Sequence, residues 1–350
     1  MSQRKTASSP KATAAREIIE GLQHYFVSEL SQQGERLNTA FKPFAPIEWL
    51  RDAGVHGGGV RYMAQDALFN RASVNMSQVF YEDLDNKPLN SATAISTIIH
   101  PRHARTPSIH MHISWTELKS GEGYWRLMAD LNPAINNDAD KQFFAAALEA
   151  ASGEFYADGA AQGDRYFYIP ALGRHRGITH FYLEQFTTGD WQADCDLADR
   201  FGRAAIDAYC QLFYANQTSG EPVTAQQQRQ QLDYHTLYFL QVLTLDRGTT
   251  SGLLSHSHND VGTLGSLPHT INRSLLASWV DVVPAPQGEL LRAFLTILPE
   301  GSEVEIDDAV KQQLADAVRA FYQQHPQAID LQARGDVIPP TLQNHGTAAK

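Results

Sequence analysis

Between residues 59 and 115 four strand-like runs follow one another with no helix-length segment between them: GVRYMAQ, SVNMSQVFY, AISTIIH and SIHMHISW. Each is rich in β-branched and aromatic residues, and Asn, Pro and Gly punctuate the gaps. Strands in unbroken succession exclude a βαβ architecture, in which helices must carry the chain between parallel neighbours. They predict an α+β fold built on a mostly antiparallel sheet with helices packed against it.

Helical periodicity appears on either side of this block. Ile18, Ile19, Leu22, Tyr25, Phe26 and Leu30 predict an amphipathic helix over 14–32, and further helices are expected over 138–157, 194–217 and 307–323. RYFYIP and GITHFYLEQF read as strands. TLYFLQVLTLDRG, an apolar run rich in β-formers, also reads as a strand. Residues 1–13 are small and polar and read as a disordered tail, residues 331–350 as a polar tail, and 14–330 as one undivided domain.

The chain has 350 residues and a net charge of −11, which argues against a nucleic-acid footprint. No apolar run reaches the eighteen residues of a membrane span, and the N-terminus lacks the apolar core of a secretory signal. Two cysteines, Cys195 and Cys210, make neither a disulfide framework nor a metal-ligand spacing, so a reducing cytoplasm is the expected compartment. Fourteen histidines are the unusual count, and several come in pairs: His100/His103, His110/His112, His175/His180 and His256/His258. Read alone, the SHSH of the last pair is a solvated loop.

Six stretches then occur in a recognisable order: ASVNMSQVF (72–80), STIIHPRHARTPSIHMHI (96–113), DLNP (130–133), RYFYIP with RGI (165–178), LDRGTTSGL (245–253) and GSLP (265–268). Together they resemble the oxygen-dependent coproporphyrinogen III oxidases. The resemblance implies a large, flat antiparallel sheet flanked by helices on both faces, and a homodimer. It implies oxidative decarboxylation of two porphyrinogen propionates to vinyl groups in haem synthesis, with O2 as co-substrate and no nicotinamide or flavin. By position it implies catalytic roles for Ser96, His110 and Asp130, the aspartate holding pyrrole N–H groups. His100 also matches a site position, although it precedes Pro101 and reads equally as structural. Arg247 matches the arginine of the DRG turn.

The departures from the family pattern are concentrated at the site. His112 stands for an Asn, Ser114 for a substrate-binding Arg, and Arg176-Gly177-Ile178-Thr179-His180 for RGIGG. His256-Ser257-His258-Asn259 replaces a glycine-rich turn that carries an arginine. A substrate with several carboxylates needs guanidinium partners, so these losses weaken the match to a porphyrinogen. Arg126 could replace one of them, and Arg126, His100, Arg247 and Asn259 are the expected substrate contacts. The gained residues suggest something else. His110 and His112 alternate on a strand and leave one face, His180 and Glu184 share a face, and His256 and His258 repeat the i, i+2 relation. His110, His112, His180, Glu184, His256 and His258 converging on one cavity would suit a redox metal, Fe or Cu before Zn or Mn. The expected function is therefore that of a diverged oxygen-dependent oxidase with a histidine-rich metal site and a non-porphyrinogen small-molecule substrate. The alternatives are a cofactor-free coproporphyrinogen III oxidase and a non-catalytic tetrapyrrole- or metal-binding protein.

Overall fold

The computed structural model describes residues 4–37, 40–335 and 341–345. Its centre is a seven-stranded antiparallel sheet in the order β1-β2-β3-β4-β5-β6-β9. The strands are β1 (Ala45–Leu50), β2 (Gly57–Ala64), β3 (Phe69–Phe80), β4 (Leu89–Pro101), β5 (Ser108–Leu118), β6 (Gly123–Asn132) and β9 (Thr179–Phe186). The first six form a meander in which each strand pairs with the next in sequence. Helices α2 (Asp138–Ser152) and α3 (Tyr156–Phe167) and a two-strand hairpin, β7 (Tyr168–Ile169) with β8 (Arg174–His175), intervene before β9 closes the row.

Side chains alternate across the sheet, and its two faces are sorted by polarity. One face presents Val74, Met76, Ile95, Ile109, Met111, Ile113, Leu127, Leu131 and Phe181 to a core shared with α1 (Pro10–Arg36), α2 and α4 (Trp191–Gln217). On α1 the buried residues Ala12, Ala15, Ile19, Leu22, Phe26 and Leu30 recur every three or four positions, as a helix facing a sheet requires. The other face is polar: Ser73, Asn75 and Ser77 alternate along β3, and His110 and His112 along β5. It is covered by a second helical layer with its own apolar cluster, built from α5 (Ala225–Thr244), α6 (Arg247–Ser255), α7 (Asp260–Thr263), α8 (Arg273–Ser278), α9 (Gln287–Ile297), α10 (Asp308–Gln324) and a small pairing of β10 (Thr270–Asn272) with β11 (Glu303–Glu305). Helices therefore lie on both faces of the sheet.

Three segments differ from the sequence reading. TLYFLQVLTLDRG is no strand: its residues up to Thr244 are the last turns of α5, which opens with a capping box between Thr224 and Gln227. Every residue from Tyr234 to Thr244 is buried, so this half of the helix has no polar face and shows no helical period. In RYFYIP only Tyr168 and Ile169 are extended, and Arg165–Phe167 finish α3. At the N-terminus, α1 starts at Pro10 behind a Ser9 cap, Ala7 is buried, and its N–H donates to Gln78 Oε1 at 3.0 Å, so residues 4–13 are ordered against the sheet. Residues 1–3 of that expected tail lie outside the described residues. So do 336–340 and 346–350 of the expected C-terminal tail, whereas Gln332 is buried and donates to Thr250 Oγ1 at 2.5 Å and Tyr322 Oη at 3.0 Å.

Candidate active site

The antiparallel register lays the polar residues out in rows across the sheet. Arg61, Asn75, Ser96, His112, Met128 and Tyr182 are successive register partners from β2 to β9. The neighbouring row runs Met63, Ser73, Ile98, His110, Asp130, His180. On the other side lie Gly59, Ser77, Ala94, Ser114 and Arg126. Arg61, Asn75, Ser96, His112, Met128 and Tyr182, with Ser73, Ile98 and His110 on one side and Ser77 and Arg126 on the other, form the floor of a cavity of about 250 Å³. Its roof is the last part of α5 with α6 and α7, and Tyr166, Phe167 and Arg176 close one side.

His110 is the reactive group best set on this floor. Its Nδ1 lies 2.8 Å from Asp130 Oδ1. Asp130 is fully buried, and its other oxygen accepts from Arg176 Nη2 and Asn132 Nδ2, both at 2.6 Å. Burial alone would raise the Asp130 carboxyl. Arg176, His110 and Asn132 outweigh it and hold the group down at about 2. A carboxylate can only accept, so His110 Nδ1 donates, which leaves Nε2 as the ring nitrogen able to exchange a proton with a substrate. This is the arrangement of a positioned general base. Asp130 itself does not line the cavity. It lies behind His110, with both oxygens engaged by the protein, rather than facing pyrrole N–H groups as the resemblance implied.

His112 lies beside His110 on the cavity floor. Its Nδ1 is 2.8 Å from Ser96 Oγ, and its Nε2 has no partner among the described residues. Burial first, then Arg126 and His110, push it well below the ordinary histidine value, so the ring is neutral. Ser96 lines the cavity as the partner of His112.

The arginines decide what the cavity can hold. Arg61, Arg126, Arg176 and Arg247 all line it. Arg126 is tied to Glu184, with Nε and Nη2 at 2.8 and 2.7 Å from Oε1, and Arg176 is tied to Asp130. Arg61 and Arg247 form no ion pair among the described residues, and the Nε of each is buried without a partner. The guanidinium deficit read from the missing family arginines is therefore corrected: the cavity holds guanidinium groups, placed on other strands and loops. Arg61 and Arg176 were not singled out from sequence. A charged residue in the middle of an otherwise β-forming run, as in GVRYMAQ, was the available signal for Arg61.

The six residues expected to share a metal do not assemble. Among the described residues no group of three or more His, Cys, Asp or Glu is arranged to hold a metal ion. His180 does not line the cavity: its Nδ1 binds Asp164 Oδ1 at 2.7 Å and its Nε2 the Arg176 carbonyl at 2.8 Å, tying β9 to α3 and to the loop that carries Arg176. Glu184 serves Arg126, and burial raises its carboxyl against that arginine's pull. His256 reaches the cavity with an Nδ1 that has no partner among the described residues, but His258 is exposed, its Nδ1 3.4 Å from Ser257 Oγ. The i, i+2 spacing failed here because the two residues follow the end of α6 in a loop rather than a strand.

The four residues expected to contact substrate are placed unequally. Arg126, Arg247 and Asn259 line the cavity. His100 is buried away from it, with Nδ1 3.0 Å from Ser108 Oγ and its ring edge-on to Tyr238 at 4.6 Å and His235 at 5.1 Å. Burial, then His235 and Arg176, keep it well below the usual range, which suits a neutral packing residue.

Comparison with known proteins agrees with this architecture. The family model described as coproporphyrinogen III oxidase matches residues 14–278. Curated relatives include the oxygen-dependent coproporphyrinogen-III oxidases of Rickettsia akari (strain Hartford) and Rickettsia bellii (strain OSU 85-389), each 27% identical over 241 residues, which is 64% of this chain and 83% of the relative. The corresponding protein of Rickettsia rickettsii (strain Sheila Smith) is 26% identical over the same length. With the matched model spanning most of the sheet, the floor of the cavity and its roof, the chain belongs to the coproporphyrinogen III oxidase family.

Proposed function

We propose that the protein, whose relatives are named oxygen-dependent coproporphyrinogen-III oxidases, is an oxygen-dependent oxidase that acts on a porphyrinogen and converts a propionate on an electron-rich pyrrole into a vinyl group, as the family resemblance implies. The observation that carries this reading is the His110–Asp130–Arg176 network under a cavity whose Arg61 and Arg247 form no ion pair among the described residues. Guanidinium groups suit the carboxylates of such a substrate. In the reaction the pair from the C–COO⁻ bond becomes the vinyl π bond and the carboxylate leaves as CO2. The adjacent C–H electron pair passes to O2, its proton leaves through His110 Nε2, and O2 with two protons departs as hydrogen peroxide. The protein's part is to hold the carboxylates, present the base and keep bulk water out.

The test is incubation with coproporphyrinogen III under air, followed by mass spectrometry. Monovinyl and divinyl products are expected, and neither should form under nitrogen or with His110→Asn. A folded wild-type protein that yields no vinyl product in air would contradict the proposal.

A second reading, a redox-metal oxidase of a smaller substrate, draws on two observations. The cavity of about 250 Å³ is small beside the ~300–1,000 Å³ usual for drug-sized ligands. His112 Nε2 and His256 Nδ1 are also both unpartnered. Two imidazoles fall short of a usual ligand set. About one Fe or Cu per chain in tag-free protein, lost in a His112→Ala, His256→Ala double variant, would favour this reading over the first.

A further inference from the structure

Arg61 offers the cavity a charge that the described protein leaves unmatched. It sits on β2 with 4% exposure and lines the cavity. Among the described residues its Nε has no partner, and its Nη2 donates to Asn259 Oδ1 at 3.5 Å, at the limit of a hydrogen bond. Asp260, next to Asn259 in the chain, is committed elsewhere: it accepts from Arg319 at 2.8 and 2.6 Å and from Gln312 at 2.7 Å. Burial pushes Arg61 down to about 10, which leaves it charged at neutral pH. A buried charge without a partner is costly, and ordinary packing would have selected an apolar residue. The backbone is also shaped to admit this guanidinium. A Cβ on Gly262 would come 2.2 Å from Nη2.

We propose that Arg61 is a specificity-determining residue that binds one carboxylate of the substrate, in a subsite walled by Asn259, Gly262 and Gly265. The identity of the substrate rests on the function proposed above, but the subsite follows from Arg61 itself. Its position adds a demand on the ligand. Arg61 on β2 and His110 on β5 are three strands apart, about 14 Å at ~4.8 Å per strand. Their backbone positions are that far apart, so a molecule with carboxylates at separate points suits the site.

The experiment compares wild type, Arg61→Met and Arg61→Lys for binding of coproporphyrin III, the unreactive oxidised tetracarboxylate, followed by fluorescence, and of citrate, followed by calorimetry. Thermal melting controls for folding. Arg61→Met should bind coproporphyrin about ten- to a hundredfold more weakly than wild type, the usual range for losing a charge-assisted hydrogen bond. Arg61→Lys should fall between them, because lysine keeps the charge but not the fork. Turnover should show a raised KM with a much smaller change in kcat. Equal affinity in wild type and both variants would overturn the role of Arg61 and leave the proposed function standing. If wild type binds citrate but not coproporphyrin, and Arg61→Met loses the citrate, the subsite holds and the porphyrinogen reading fails. Binding of neither probe by folded wild type would overturn both.

Discussion

Asp130 is where one side chain has most leverage. It serves His110 and Arg176 together, so Asp130→Asn both frees the histidine's tautomer and strands a buried guanidinium. Turnover should fall about 10²–10⁴-fold, the range seen when a general base is lost or wrongly oriented. Chemical denaturation should show a loss of about 3–5 kcal/mol, as for a buried ion pair deprived of one partner. An unaltered kcat would mean that the pair only holds the sheet together. The folded carboxyl at about 2 lies below its unfolded value of 3.8, so its contribution is complete above pH 4 and is lost as pH falls towards 2. That contribution is about 2 kcal/mol and should be absent from the Asp130→Asn titration. At this scale the sequence was legible where position along one strand decides the matter. His110 and His112 share the cavity side of β5 as their spacing predicts. It was illegible where a partner comes from far away: Asp164 for His180 and Arg126 for Glu184 stand 16 and 58 positions from the residues they engage.

Among the elements, α3 and β9 are in unusually close contact, and glycine makes this possible. A Cβ on Gly163 would stand 2.8 Å from His180 Cβ and from the Phe181 nitrogen. Gly163→Ala should therefore push α3 off the strand and cost about 1–3 kcal/mol, read as a lowered midpoint in urea. It should also loosen Arg176, whose carbonyl accepts from His180 Nε2. No change in midpoint would show that the helix can shift freely. Helix α5 marks the limit of pattern reading. Its N-terminal half carries a legible cap at Thr224, but its buried half has no polar face to give it a period. Length alone favoured a helix there, since eleven consecutive buried residues exceed most strands. The sheet was easier to read, because strands joined in sequence leave little choice of topology.

Over the whole molecule, the sheet's polar face is where the site forms: Ser73, Asn75 and Ser77 alternate along β3, and the packing of α5–α10 turns that face into the floor of an enclosed cavity. Enclosure also leaves an acid-sensitive interior. His100, His112 and His235 are all held neutral by burial, His235 at about 3. In the unfolded chain each would take up a proton near pH 6.5, so stability is full above that value and declines as pH falls below it. The slope should approach ~1.4 kcal/mol per pH unit for each histidine, and His235→Gln should remove about one proton from it. A stability curve flat from pH 7 to pH 5 would contradict burial of these rings in neutral form.

In the proposed activity His110, braced by Asp130 and Arg176, works beside arginines that hold carboxylates, with molecular oxygen as the oxidant. The most direct measurement is the simultaneous release of CO2 and consumption of O2 by chelator-treated protein turning over coproporphyrinogen III. One CO2 and one O2 for each vinyl group formed, with both lost in His110→Asn, is the predicted result. Turnover that stops on chelation and returns with Fe or Cu, or oxygen uptake without CO2, would contradict it.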